Sequence, residues 1–203
     1  MTLVATWRLP RVLVVDDGEP HAPIDGLPTG TFLRDLDLAG LIGRASAIDG
    51  PWAVDVDTIR GLRGDEAAAR LVVERLGASA VVSRRVTVVR AAAAFGATGL
   101  LGVHAFDSTG LRRTADAGSM PVGVGSLLSP GLVLPHLRLD ELELLPRPLV
   151  VHGLIVRPSD ALACLELADA IVVRRDAARY LGTALRNPLP SLRKPLTTIP
   201  IEE

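Results

Sequence analysis

Between Val54 and Arg85 the chain reads VDVDTIRGLRGDEAAARLVVERLGASAVVSRR. An alternating stretch, a glycine turn, a stretch of 3.6-residue apolar spacing and a second β-branched run follow one another without a break, which predicts one βαβ unit. Val54 and Val56 alternate with Asp55 and Asp57, so the first strand is expected to carry an apolar face and a face with two carboxylates. A helix would cover the apolar face. The acids would then lie near the C-terminal end of the strand, as at the mouth of an α/β barrel.

The same alternation extends over most of the chain. Short apolar, β-branched runs at Arg11–Val15, Thr31–Arg34, Ala53–Thr58, Ala80–Ser83, Gly99–His104, Gly131–Pro135, Leu149–Gly153 and Ala170–Arg174 give eight candidate strands. Helical spacing occurs at Asp37–Ile48, Asp65–Leu76, Val86–Phe95, Ser159–Leu167 and Asp176–Leu185, several of them with a polar capping residue at or just before the start. Strand followed by helix, repeated, requires parallel strands joined by right-handed crossovers. The expected fold is therefore a single, compact TIM-like (β/α) barrel over residues 1–185. The stretch Asp16–Gly30 holds too many prolines and glycines for a helix, so the first βα connection is expected to be a loop. Asp107–Pro130 reads as a mobile insertion with a short helix near Leu111–Ala117, and residues 186–203 as a proline-rich C-terminal tail.

Composition narrows this picture. In 203 residues, 48% are hydrophobic but only 3% aromatic, so the core must be built from Val, Leu, Ile and Ala, as suits parallel α/β packing. The net charge of −1 supplies no global basic field for nucleic acid, so an RNA contact would have to come from a local patch. Cys164 is the single cysteine, which excludes an internal disulfide and fits a reducing, cytoplasmic setting. Arg8, Pro10 and Arg11 interrupt the apolar N-terminal run, so neither a signal peptide nor a membrane span is expected there.

Chemistry gathers at the expected strand ends. Asp55 and Asp57 follow the third strand, Ser83, Arg84 and Arg85 the fourth, His104 and Asp107 the fifth, His136 the sixth, His152 and Gly153 the seventh, and Arg174 and Arg175 the eighth. Guanidinium groups bind phosphate bidentately and a glycine allows close backbone approach, so this rim favours a small phosphorylated ligand. Its phosphate is expected at the loops Gly153–Pro158 and Arg174–Ala177, the second of which opens a helix.

The run Val54–Arg85, with Ala97-Thr98-Gly99-Leu100 leading to Phe106-Asp107-Ser108, then Val133-Leu134-Pro135, His152-Gly153-Leu154-Ile155 and Ala168-Asp169-Ala170-Ile171-Val172, resembles the glycerol-3-phosphate responsive antiterminators. The similarity spans roughly Thr31 to Arg175 and is strongest from Asp57 through Ser83. It implies a TIM-like barrel without catalysis or cofactor that binds glycerol 3-phosphate or a related phosphorylated metabolite. It also implies contact with leader mRNA to prevent transcription termination before glycerol-metabolism genes. The matched positions are Asp57, Gly61, Asp65, Glu66, Ser83, Asp107, Ser108, Pro135, Gly153, Leu154 and Ile155, of which Asp65 and Glu66 are expected to cap a helix. The chain departs from the family pattern at the rim. Asp55-Val56-Asp57 stands for His-Ile-Asp, His152-Gly153 for Gly-Gly, and Val173, Arg174 and Arg175 for small hydroxyl residues. Gly102, Val103 and His104 lie where an arginine is expected on the fifth strand.

Two other classes fit the residues alone. In an enzyme, His104, His136 and His152 with Asp55 or Asp57 would hold a metal, or Asp55 or Asp57 would serve as the base of a phosphate-substrate isomerase. In a scaffold that has lost its effector, the insertion and tail would mediate assembly. A homodimer and the absence of a membrane partner are compatible with all three readings.

Overall fold

The computed structural model describes residues 9–16, 28–105, 111 and 124–186. Among them, β1 (Val12–Val15), β2 (Thr29–Leu33), β3 (Trp52–Asp55), β4 (Ala80–Ser83), β5 (Thr98–His104), β6 (Val124–Ser129), β7 (Leu149–His152) and β8 (Ala170–Val173) form a closed parallel barrel in sequence order. Closure is made by β1 against β8, with Val12 opposite Ile171 and Val14 opposite Val173. Eight parallel strands with intervening helices are the architecture of the TIM barrel.

Strand parity divides the apolar residues. Leu13, Phe32, Ala53, Ala80, Leu100, Val150 and Ala170 point inward and fill the barrel as one cluster. Their neighbours one residue away, such as Leu33, Val54, Val81 and Val151, pack outward beneath the helices. Branched aliphatic residues therefore serve both layers, which is why the composition is rich in Val, Leu and Ala.

The helices begin where polar caps predict. Asp37 accepts from the Gly40 N–H at 2.7 Å to start α1 (Leu38–Ala45), and Asp65 accepts from the Ala68 N–H at 3.0 Å to start α2 (Glu66–Arg70). Past Arg70 the helix continues as a π-turn over Leu71–Arg75. α3 (Val86–Ala94), α4 (Leu139–Leu142), α5 (Pro158–Leu167) and α6 (Arg175–Arg186) complete the described helices.

α3 lies so close to β5 that a β-carbon on Gly99 would come within 2.2 Å of the Val89 carbonyl oxygen. The carbonyl is backbone and a β-carbon is fixed to its own Cα, so neither can swing aside. Gly99→Ala is accordingly expected to cost about 1–3 kcal/mol in urea unfolding, the range of core overpacking. A loss below about 0.5 kcal/mol would mean that α3 shifts freely on the sheet.

The sequence pattern misplaces one strand. The sixth is Val124–Ser129, and the apolar run Gly131–Pro135 belongs to a 3₁₀ helix, Gly131–His136. That run starts after Pro130 and folds against β7, where a β-carbon on Gly131 would meet the His152 nitrogen at 3.0 Å. The third candidate is also too long: β3 ends at Asp55, and Val56–Thr58 turn into a 3₁₀ helix. Of the expected loop Asp16–Gly30, Thr29 and Gly30 already belong to β2, and of the expected insertion Asp107–Pro130, Val124–Ser129 are β6, since both segments pair with neighbouring strands. Residues 17–27, 106–110 and 112–123, with most of the helix expected at 111–117, and the tail at 187–203 lie outside the described residues.

Candidate site at the barrel mouth

The inward row of each strand continues past the apolar core to the C-terminal end of the barrel, and there it becomes polar. Two residues after Phe32 stands Arg34, after Ala53 stands Asp55, after Val82 stands Arg84, and after Val150 stands His152. Leu100 is followed on the same row by Gly102 and His104, and Leu127 by Ser129. Together with Asp57 and Thr58 these residues line a cavity of about 280 Å³. A period of two thus carries one face from aliphatic floor to ionisable mouth.

Asp57 is the structural centre of one side. Its carboxylate accepts from the Ser83 hydroxyl at 3.0 Å and the Arg84 backbone N–H at 2.7 Å, and it faces the Arg84 guanidinium at 3.5 Å. The buried Ser83 hydroxyl in turn accepts from the Arg85 N–H at 3.1 Å. β3 is thereby pinned to the end of β4. The Arg84 stem crosses Gly102, where a β-carbon would stand 3.3 Å from its Cγ, so the glycine leaves room for a guanidinium arriving from β4.

The other side is built on Arg34 and His152. Arg34 Nη1 lies 3.1 Å from His152 Nε2, and its Nε donates to Asp35 at 2.7 Å. A guanidinium can only donate, so His152 Nε2 accepts and the ring is neutral with its proton on Nδ1. Burial, helped by the adjacent Arg34 charge, pushes the His152 pKa down to about 4. The ring also stacks on Phe32 at 5.9 Å between centroids. Asp35 holds a left-handed backbone with φ of 56°, and its N–H donates to the Thr58 hydroxyl at 3.0 Å, which fixes the turn after β2 to the turn after β3.

Asp55 faces the cavity between these two sides. Its carboxylate accepts from the Asp57 backbone N–H at 3.2 Å. Burial, and secondarily the Asp57 charge, push its pKa up to about 6.

Of the residues singled out from sequence, Asp55, Asp57, Arg84, His104 and His152 line the cavity. Ser83 sits behind Asp57. Arg85 turns away and donates to the Gly64 carbonyl oxygen, tying down the β3–α2 loop. Gly153 forms the turn after β7 with φ of 94°, followed by Leu154 at 60°. Arg174 faces Asp176 at 3.6 Å on the surface, and Arg175 opens α6. His136 lies on the 3₁₀ helix after β6, because the true strand ends seven residues earlier at Ser129. Among the described residues no three His, Cys, Asp or Glu side chains gather as metal ligands.

Sequence reasoning missed Arg34, Thr58 and Ser129. Parity from Phe32 identifies Arg34, which closed a candidate strand without being taken as a site residue. Ser129 was hidden by the misplaced sixth strand.

Residues 33–176 match the family described as glycerol-3-phosphate responsive antiterminator. No curated protein is similar enough in sequence to match. Among solved structures, the fold is similar to a glycerol uptake operon antiterminator-related protein from Thermotoga maritima, with TM-score 0.68, 22% identity, and 86% of this chain and 99% of that one covered. A glycerol uptake operon antiterminator regulatory protein from Listeria monocytogenes gives TM-score 0.66 at 15% identity, covering 81% and 91%. Phosphoribosylanthranilate isomerase from Thermotoga maritima gives 0.57 at 10% identity, covering 88% and 100%, so the same barrel also serves an enzyme. At these identities the structural likenesses speak for the fold, while the family match covers most of the chain and includes the Asp57–Ser83 clamp at the mouth. This chain belongs to the glycerol-3-phosphate responsive antiterminator family.

Proposed function

We propose that the protein is an effector-binding transcription antitermination regulator rather than a catalyst, and that a small phosphorylated metabolite of the glycerol 3-phosphate class enters the barrel mouth. The observation that carries this reading is a cavity whose lining includes Arg34, Arg84, Thr58 and Ser129. Guanidinium groups suit phosphate oxygens and hydroxyl groups suit a polyol. Both arginines come from strand-end segments, so occupancy would reorganise the loops that carry them, and an effector shifts only states that it binds differently.

Calorimetry on the full chain with sn-glycerol 3-phosphate tests the reading. Arg34→Gln is expected to weaken binding about tenfold or more, since it removes a charge-assisted contact. Failure of any phosphate ester to bind at millimolar concentration would overturn the assignment of the mouth as an effector site. Equal affinity in Arg34→Gln and a loss in Arg174→Gln instead would move the phosphate to the loops after β7 and β8.

Leader mRNA is the second partner in this reading, which also implies a cytoplasmic protein. Among the described residues no helix is long and apolar enough to cross a membrane. The best local patch for RNA is α6 with the residue before it. Arg174–Arg186 holds four arginines and one acid in a chain of net charge −1. Arg179 and Tyr180 are exposed on it, while Ala177, Ala178 and Leu181 face the core. Tyr180 is 70% exposed, whereas Phe32 and Trp52 are buried and Phe95 packs against Arg70. An exposed aromatic ring on an arginine-bearing helix offers a base a face to stack on. Tyr180→Ala is expected to weaken binding of a random single-stranded RNA pool about 5- to 50-fold at low salt. Unchanged binding would remove α6 from the RNA surface, and light scattering on the same variant reads whether the helix instead joins two copies.

A further inference from the structure

Among the described residues, Asp55 is the carboxylate of the mouth that no guanidinium pairs with directly. It lies on the inward row of β3 and lines the cavity, and its carboxylate accepts only the Asp57 N–H among the described residues. Among the described residues no cation comes within ion-pair distance of it, because Arg34 is directed to Asp35 at 2.7 Å and Arg84 to Asp57 at 3.5 Å. His152 adds no positive charge, since its Nε2 accepts from Arg34.

The charges of the lining then settle which ligands the site suits. Among the described residues of the lining, Arg34 and Arg84 are balanced by Asp55 and Asp57, so this part of the mouth carries no net positive charge when both acids are ionised. A plain polyol phosphate would bring two further negative charges next to an unpaired carboxylate. A partly buried carboxylate is costly unless a cation or a proton answers it. A ligand that carries its own cation supplies that answer and leaves both arginines for the phosphate.

We propose that the effector of this protein is an amino-alcohol phosphate monoester, bound with its ammonium group on Asp55 and its phosphate toward Arg34 and Arg84. This rests on the reading of the mouth as a phosphate-effector site and narrows the ligand class. Asp55 acts as the specificity determinant. It selects a protonated amine over a hydroxyl at the carbon that faces β3.

The test compares near-isosteric ligands by calorimetry on the full chain at mildly alkaline pH. The probes are sn-glycerol 3-phosphate and 2-amino-3-hydroxypropyl phosphate, which carries an ammonium group in place of the secondary hydroxyl, with O-phosphoethanolamine as a shorter amine. Both amines are expected to bind about tenfold or more tightly than glycerol 3-phosphate, the scale of one charge-assisted contact. Asp55→Asn, which keeps an oxygen to accept from the Asp57 N–H, is expected to erase that preference. Glycerol 3-phosphate binding as tightly as the amines overturns the proposal, and so does a preference that survives in Asp55→Asn. The wild-type comparison decides the matter even where the variant folds poorly. Glycerophosphoethanolamine, an amine-bearing diester, is expected to bind weakly, and equal binding would overturn the monoester assignment. If no phosphate ester binds at all, the effector reading falls together with this one; tighter binding of glycerol 3-phosphate removes this one alone.

Discussion

Replacing Asp57 with alanine is expected to cost about 2–3 kcal/mol of folding stability, the upper range for leaving a buried donor without its acceptor. One side chain satisfies three groups at the end of β4: the Ser83 hydroxyl, the Arg84 N–H and, through charge, the Arg84 guanidinium. Ser83 is fully buried, so its hydroxyl has no water to turn to when the carboxylate is gone. Arg84 loses its anchor as well, so the cavity loses the fixed position of one of its two arginines. Urea unfolding reads the first effect and calorimetry the second. Asp57→Asn should fall between wild type and alanine, because the amide keeps one acceptor but not the charge. A loss below about 1 kcal/mol for alanine would show that the clamp is replaceable by solvent, against the burial argument.

This clamp explains why the family is legible in the chain while the ligand is not. Asp57 and Ser83, the ends of the strongest stretch of the resemblance, bind each other, so the Asp57 carboxylate reaches the cavity edge already committed to Ser83 and Arg84. They hold two strand ends in register, and that requirement does not change with the ligand. Several departures from the family pattern, Asp55, Gly102, His104 and His152, lie in the cavity lining. Fold and family were therefore readable from the β-α-β run, whereas much of the cavity lining comes from residues outside the signature.

The failures of the sequence reading have specific causes. Alternation placed Asp55 and Asp57 on one face, but the period of two holds only inside a strand. β3 stops at Asp55, and the 3₁₀ turn that follows sends Asp57 toward β4 while Asp55 looks into the barrel. At the sixth strand two apolar runs compete, one holding Gly125 and the other Pro135. The glycine run forms the sheet because β5 and β7 bracket it, with Leu100 opposite Gly125 and Leu127 opposite Val150. That is a long-range fact, absent from any local window. The arginine expected on β5 is absent, and the stem of Arg84 from β4 lies over Gly102 at that place, a juxtaposition that spacing along one strand cannot reveal.

The second large effect is a dependence on pH that two groups conceal in the intact protein. The folded-state pKa of Asp55 is raised from 3.8 to about 6, so between these values the folded state binds more protons than the unfolded state. Stability from this group is present below pH 3.8 and is lost as pH rises to about 6. His152 behaves oppositely. Its pKa is lowered from 6.5 to about 4, so the unfolded state binds more protons in that window and stability is gained as pH rises. Each shift corresponds to about 3 kcal/mol at most. The two slopes nearly cancel, so these groups leave wild-type stability almost flat between about pH 4 and 6. Asp55→Asn removes the falling contribution, and its stability is expected to climb by about 3 kcal/mol from pH 4 to 6.5. His152→Gln, which keeps an acceptor for Arg34, leaves the falling contribution alone and is expected to lose a similar amount over the same range. Urea midpoints of the three proteins at pH 4, 5 and 6.5 separate these profiles. Parallel profiles would mean that water reaches both groups and that the mouth is far more polar than its lining implies. Opposite slopes would establish a carboxyl that becomes ionised at neutral pH only at a cost to the fold, the condition under which a cationic ligand group would bind it most strongly.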